Sequence, residues 1–187
     1  MVKKNACVFI SGAGTNLKFL ILNSRSYNFP VNIKLILSNK ENAAGIKYAK
    51  KFAIPFILIK VKDKFSDLKI LNEIKKRKIK LICLAGYMKI LSKFFIKSFN
   101  GKIINIHPSL LPKFKGTNTF KRILKSNEKI SGCTVHYVND KLDSGKIIIK
   151  KKFTIQKKES EISLKKKTQI LEYRAFSEAI SRIYMMN

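Results

Sequence analysis

Val2-Lys3-Lys4-Asn5-Ala6-Cys7-Val8-Phe9-Ile10-Ser11-Gly12-Ala13-Gly14-Thr15-Asn16 is an apolar run that stops at a glycine turn. Residues 2–11 read as a strand, and its uninterrupted apolar centre suits a strand covered on both faces. Gly12 and Gly14 permit a tight turn, after which a helix is predicted over residues 15–23. The same strand-to-helix handover recurs along the chain. Further strands are predicted at 31–38, 54–61, 81–85 and 102–106, with helices at 43–52, 65–78 and 92–99, the last stopped by Gly101. Such alternation implies an α/β fold, a doubly wound and mostly parallel sheet flanked by helices. Beyond residue 108 the pattern changes to a loop (108–118), a helix (119–126) and two strands (133–138 and 146–155) expected to pair antiparallel. A long helix over 160–185 closes the chain, with Ile162, Leu164, Ile170, Leu171, Phe176, Ile180 and Ile183 available for packing. With 187 residues, 45% of them apolar, the chain suits one domain over 1–187.

The formal charge of +29 admits two readings. One is a nucleic-acid or membrane-surface partner. The other is a lysine-rich composition whose charges are solvated, and the residues favour it. Only five of the forty basic residues are arginine, the better bidentate reader of phosphates and bases. The lysines are also spread over every element, although denser at 75–80 and 146–167. Such a field would steer anionic small substrates. No run approaches the roughly 20 apolar residues of a membrane span, and Met1-Val2-Lys3 leads into a strand without a signal-peptide pattern. A soluble cytoplasmic protein is expected. Cys7, Cys83 and Cys133 lie in apolar runs without a C-x-x-C pair, which indicates free buried thiols and no zinc site.

Three motifs carry chemistry. Ser11-Gly12-Ala13-Gly14-Thr15-Asn16 lies between a strand and a helix N-terminus, where free N–H groups favour a phosphate. A dinucleotide fingerprint would need a third glycine where Leu17 stands and an acid where Ser38 and Asn39 stand. The loop therefore suits a monophosphate, or is a tight turn without a ligand. Asn105-Ile106-His107-Pro108-Ser109-Leu110-Leu111-Pro112 ends the strand at 102–106. Side chains two apart share a face, so the Asn105 carboxamide and His107 imidazole can reach one reacting atom. A carboxamide there can donate to a developing oxyanion. Asp143, in the turn Leu142-Asp143-Ser144-Gly145, could partner the imidazole and favour its charged form. His136 alternates with apolar residues on its strand, as a supporting hydrogen-bonding residue would. Two separated histidines without an acidic cluster do not form a metal ligand set.

Together these segments resemble the phosphoribosylglycinamide formyltransferases, folate-dependent members of the wider formyltransferase fold. Residues 105–112 resemble the signature of that fold, and residues 11–16 resemble the loop for the ribonucleotide phosphate. Leu84-Ala85-Gly86-Tyr87-Met88-Lys89-Ile90-Leu91, Gly132-Cys133-Thr134-Val135-His136-Tyr137-Val138 and Leu142-Asp143-Ser144-Gly145 match in order and spacing, so the resemblance covers essentially the whole chain. It implies transfer of the formyl group of 10-formyltetrahydrofolate, the co-substrate, to the amine of glycinamide ribonucleotide in purine biosynthesis, without a metal. By the same resemblance Asn105 stabilises the oxyanion, His107 is the general acid, and Asp143 keeps it protonated and orders a water. Gly14, Thr15 and Asn16 grip the phosphate, with Gln169 and Glu172 as further ribonucleotide contacts. Met88, Lys89, Ile90 and Leu91 line the folate pocket, and Asn139, Asp140, Lys141, Leu142 and Asp143 form its loop. Two departures stand out: Lys146 replaces a common proline, and no arginine stands near Asp63 or Lys64. The partners implied are small molecules, with the chain a monomer or homodimer. The alternatives are a formyltetrahydrofolate deformylase, a formyltransferase for another amine, or a basic nucleic-acid-binding protein on the same core.

Overall fold

The computed structural model describes residues 2–59 and 64–185. Seven strands form one sheet in the order β3-β2-β1-β4-β5-β6-β7. They are β1 (Lys4–Ile10), β2 (Val31–Ser38), β3 (Phe56–Leu58), β4 (Ile79–Leu84), β5 (Lys102–His107), β6 (Ile130–Tyr137) and β7 (Ile147–Thr154). β1 to β5 pair in parallel, whereas β6 runs antiparallel to β5, and β7 antiparallel to β6. The helices are α1 (Thr15–Ser24), α2 (Ile46–Lys51), α3 (Lys64–Lys76), α4 (Lys93–Ser98), α5 (Thr119–Lys125) and α6 (Glu161–Met185). The expected doubly wound sheet with an antiparallel C-terminal part and a closing helix is what forms.

Alternation along the strands divides the core. Ala6, Val8 and Ile10 of β1 point to the face covered by α1 and α6, where Leu17, Leu20, Ile21, Phe176 and Ile180 are buried. Cys7 and Phe9 point to the other face and pack with Ile70 and Ile74 of α3 and Phe95 of α4. Each such leucine, isoleucine or phenylalanine contributes roughly 1.5–3 kcal/mol by leaving water. On β5, Ile104 and Ile106 turn to the α1/α6 face and Ile103 to the other. Asn105 and His107 therefore share the face of Ile103 and emerge where α4 no longer covers it.

Three boundaries and two packing expectations are corrected. The strand predicted at 54–61 shortens to Phe56–Leu58. The Ile54 N–H donates to the Ala49 carbonyl instead, Pro55 has no N–H to give, and residues 60 and 61 lie outside the described residues. α2 begins only at Ile46, because residues 43–45 form turns and the Gly45 N–H bonds to the Gly12 carbonyl. Gly101 does not cap α4, which ends at Ser98 with Phe99 already extended. Its role is space: a Cβ there would lie 2.6 Å from the Lys80 carbonyl oxygen. On α6, Ile162 and Ile170 face solvent. The buried stripe runs instead through Leu164, Thr168, Glu172, Ala175, Ala179 and Ile183, with small and polar residues that an apolar count overlooks.

From β1 the chain winds outward to β2 and β3, then returns past β1 to β4 and continues to β5. Strand order reverses between β1 and β4, and open α/β sheets hold ligands in the crevice at that point. Residues 11–16 leave β1 on one side of it, and residues 85–91 leave β4 on the other.

Candidate active site

His107 ends β5 and is buried, its side chain 6% exposed, and Asp143 lies against it with its side chain 7% exposed. The sheet's change of direction makes this meeting possible. Antiparallel pairing sets Asn105 opposite His136 and His107 opposite Thr134, and the β6–β7 connection carries Asp143 back over them. Its backbone takes the left-handed region (φ 46°) to do so. Asp143 Oδ2 is 3.3 Å from His107 Nδ1 and accepts the Gly116 N–H at 2.8 Å. The Asp143 Oδ1 atom is 3.5 Å from Asn105 Nδ2 and 3.7 Å from His136 Nε2.

Two backbone carbonyls fix the imidazoles. The Phe114 carbonyl is 2.8 Å from His107 Nε2. A carbonyl only accepts, so Nε2 carries a hydrogen and Nδ1 is the nitrogen that faces Asp143. Nε2 thus donates to a carbonyl, while Nδ1 stands at ion-pair distance from a carboxylate. His136 differs. Its Nδ1 donates to the Tyr137 carbonyl at 2.8 Å, which leaves the Nε2 lone pair to accept from Asn105 Nδ2 at 3.2 Å. Burial holds the His136 pKa below its ordinary value, opposed in part by the Tyr137 carbonyl and the Asp143 carboxylate. A neutral His136 thereby sets the orientation of the Asn105 carboxamide.

A loop of unusual backbone supplies the remaining partners. Phe114, Gly116 and Asn118 all have positive φ, at 57°, 79° and 54°. Glycine and asparagine accept this conformation readily, whereas phenylalanine does so at a cost. The bond from the Gly116 amide to Asp143 holds the loop, which in turn presents the Phe114 carbonyl to His107.

A second buried polar group lies at α1. Gly14 takes the left-handed region (φ 69°) and opens the helix without a side-chain cap. A Cβ at Gly14 would stand 2.6 Å from Gly45 Cα, so this position needs glycine for space as well as conformation. The Thr15 side chain hydrogen-bonds Tyr173 of α6. Asn16 Nδ2 donates to Glu172 Oε2 at 2.8 Å, while Asn16 Oδ1 is buried without a partner. Burial pushes the Glu172 pKa up to about 7 against the lowering effect of Asn16. Gln169 lies half-buried one turn earlier on the same helix.

The remaining expected residues form an exposed rim. Met88, Lys89 and Ile90 stand in solvent and Leu91 is half-buried. A small cavity bounded by Phe9, Tyr87, Lys89, Ile90, Leu91 and Phe95 opens beside them. Asn139, Asp140, Lys141 and Leu142 are exposed as well. Asn139 Oδ1 accepts the Lys141 N–H at 3.1 Å and the Ser144 hydroxyl at 3.0 Å, which shapes their turn. A Cβ at Gly145 would meet the Tyr137 carbonyl oxygen at 1.7 Å, so only glycine fits there. Asp63 lies outside the described residues.

The expected residues thus gather in three places: Asn105, His107 and Asp143 in one cluster, Gly14 to Asn16 with Glu172 in another, and the rim. Sequence reasoning missed the Phe114 carbonyl and the Gly116 amide, which are backbone groups that no residue letter announces. It also missed Ser11, although a polar residue between an apolar strand and Gly12 hints at one.

The formyl transferase family model matches residues 4–180, which places the chain among the formyl transferases. It is 38% identical over 177 residues to the phosphoribosylglycinamide formyltransferase of Haemophilus influenzae, covering 92% of this chain and 84% of that one. The structure of phosphoribosylglycinamide formyltransferase from Brucella melitensis superposes with a TM-score of 0.91 at 33% identity, covering 97% and 95% of the two chains. The chain belongs to the phosphoribosylglycinamide formyltransferase family. It is also 40% identical over 184 residues to the trifunctional purine biosynthetic protein adenosine-3 of Chironomus tentans, matching 95% of this chain but spanning only 13% of that protein.

Proposed function

We propose that this chain transfers the formyl group of 10-formyltetrahydrofolate to the amine of phosphoribosylglycinamide, giving the formylated ribonucleotide and tetrahydrofolate in purine biosynthesis. The observation that carries this reading is the meeting of Asn105, His107 and Asp143 in one buried cluster beside the switch-point crevice, with Asp143 at ion-pair distance from His107 and hydrogen-bonded to Asn105. The substrate amine attacks the formyl carbon and forms the C–N bond, and the carbonyl electron pair moves onto oxygen. An Asn105 N–H and the His107 imidazolium stabilise that oxyanion. The nitrogen's proton leaves by way of a water held by Asp143, and the folate nitrogen takes up a proton. Collapse of the intermediate then breaks the bond to the folate and frees tetrahydrofolate.

The uncapped N–H groups at the start of α1 suit the ribonucleotide phosphate, with Gly14 and Thr15 shaping its seat. Asn16 joins that grip and, through its bond to Glu172, ties it to Gln169 and Glu172, the further ribonucleotide contacts. Met88, Lys89, Ile90 and Leu91, with Asn139 to Leu142 opposite, hold the folate. The residues named for the site all come from this chain, which supports a single catalytic domain over 1–187; action in the cytoplasm, as a monomer or homodimer, goes with that reading.

The test follows tetrahydrofolate release from 10-formyltetrahydrofolate with and without the ribonucleotide and identifies the product by mass. Turnover only with the ribonucleotide, yielding its formyl derivative, is expected. Release without it would instead identify a hydrolase and overturn the proposal.

A further inference from the structure

Ser11 stands immediately after β1 at the switch point, 5% exposed. Its hydroxyl donates to Asn39 Oδ1 at 2.5 Å and accepts the Met88 backbone N–H at 2.7 Å. A hydroxyl has one hydrogen to give. Because Asn39 takes it, a lone pair is left facing Met88, and the polarity of the bridge is set. Ser11 therefore joins the two lips of the crevice. On its own side it leads into Gly12, whose carbonyl accepts the Gly45 N–H at 2.9 Å, and into the Gly14 turn that opens α1. On the other side Met88 begins the exposed stretch 88–90. Edge-to-face packing of Phe9 on Tyr87, at 5.3 Å between ring centres, is the neighbouring tie.

We propose that Ser11 is a positioning residue that ties the folate-side loop at Met88 to the phosphate loop and so sets the separation of the two substrates. This rests on the reading of the site given above. Attack of an amine on a formyl carbon needs the reacting atoms about 3–3.5 Å apart, and a displacement near 1 Å costs on the order of a hundredfold in rate. Two substrates bound to separately anchored loops meet that tolerance only if the loops are fixed to each other. The Ser11 hydroxyl is a side-chain bond that spans the crevice at this place.

The experiment compares wild type with Ser11→Ala and Asn39→Ala. In Ser11→Ala the Met88 N–H loses its partner while the Gly12–Gly45 contact remains. The KM for 10-formyltetrahydrofolate is expected to rise about tenfold, as for a lost partly buried hydrogen bond, while ribonucleotide affinity measured alone by titration stays within about twofold. Asn39→Ala keeps the hydroxyl but frees its orientation, and a smaller rise in the same constant is expected. Amide exchange at residues 87–91, read without substrate, should quicken in Ser11→Ala. Equal loss of both substrates, or an unchanged folate KM, would overturn the proposal, as would unchanged exchange. If wild type itself transfers no formyl group, the functional reading fails, and the exchange measurement still decides whether Ser11 holds the loop.

Discussion

Around His107, the carboxylate, carboxamide and both imidazoles find protein partners, whereas the Asn16–Glu172 pair has one hydrogen bond and one orphan oxygen. Both groups are buried, the first at the carboxyl end of β5 and the second between α1 and α6. The first is satisfied before any ligand arrives, as a group that must act on a transition state should be, since reorganisation during the reaction is then small. The second holds a carboxyl whose pKa is pushed up to about 7 beside an acceptor without a donor, a combination that a ligand rich in donors would relieve. On the proposed reading, chemistry is preorganised in one place, and binding is left unfinished in the other.

Breaking the satisfied cluster should have the largest effect, and it should fall on catalysis. His107→Ala or Asp143→Ala is expected to lower turnover by about two to four orders of magnitude while a cooperatively folded protein remains. Single-turnover rates beside a thermal melt check this. Near-wild-type turnover in either variant would sink the mechanism.

Breaking the unfinished pair should act on stability in the opposite sense. A carboxyl whose folded pKa is raised keeps its proton in the native state while the unfolded chain has lost it. Its contribution is therefore fully present below about pH 4.3, declines as pH rises towards 7, and is flat above that. Glu172→Gln removes the buried charge. At pH 8 the variant should be more stable by roughly 3 kcal/mol, with the advantage vanishing near pH 4, and its KM for the ribonucleotide should rise. Denaturant titrations at several pH values decide it. A variant less stable than wild type at pH 8 would show that Glu172 is held charged by groups other than Asn16.

The comparison also separates what was legible in the sequence from what was not. Periodicity and glycine turns located β2 at Val31–Ser38 and the start of α1 at Thr15, because the burial of those segments is a property of the segments themselves. The strand spacing of Asn105 and His107 placed them on one face for the same reason. Asp143 could be named as a partner, but its approach depends on β6 reversing direction beside β5, which is a tertiary outcome. Glu172 lies 156 residues from Asn16, and no local pattern joins them. The Phe114 carbonyl was beyond reach altogether, since its use comes from backbone conformation at 114–118 rather than from side-chain identity.

His136 sharpens the first half of the comparison. On the proposed reading it contributes no group to the reacting atoms and acts by accepting from Asn105. Removing that acceptor in His136→Leu frees the carboxamide to turn, and kcat should fall about tenfold, the worth of one hydrogen bond, with both KM values little changed. His136→Gln, whose side-chain oxygen can accept in place of Nε2, should restore part of the rate. Equal loss in the two variants would mean that packing, not orientation, is what His136 supplies.

The smallest effect belongs to the rim, where neither logic applies. Leu142 is 53% exposed, and its Cδ2 atom would lie 3.7 Å from a Cβ placed at Gly116. Truncation to alanine removes little buried area, so the melting temperature should not move. If Leu142 only covers the bound folate, Leu142→Ala should raise that KM by no more than a few-fold and leave kcat alone. A fall in kcat would instead show that Leu142 steadies the Gly116 turn, and through it the hydrogen bond to Asp143. The rim would then belong with the preorganised cluster rather than apart from it.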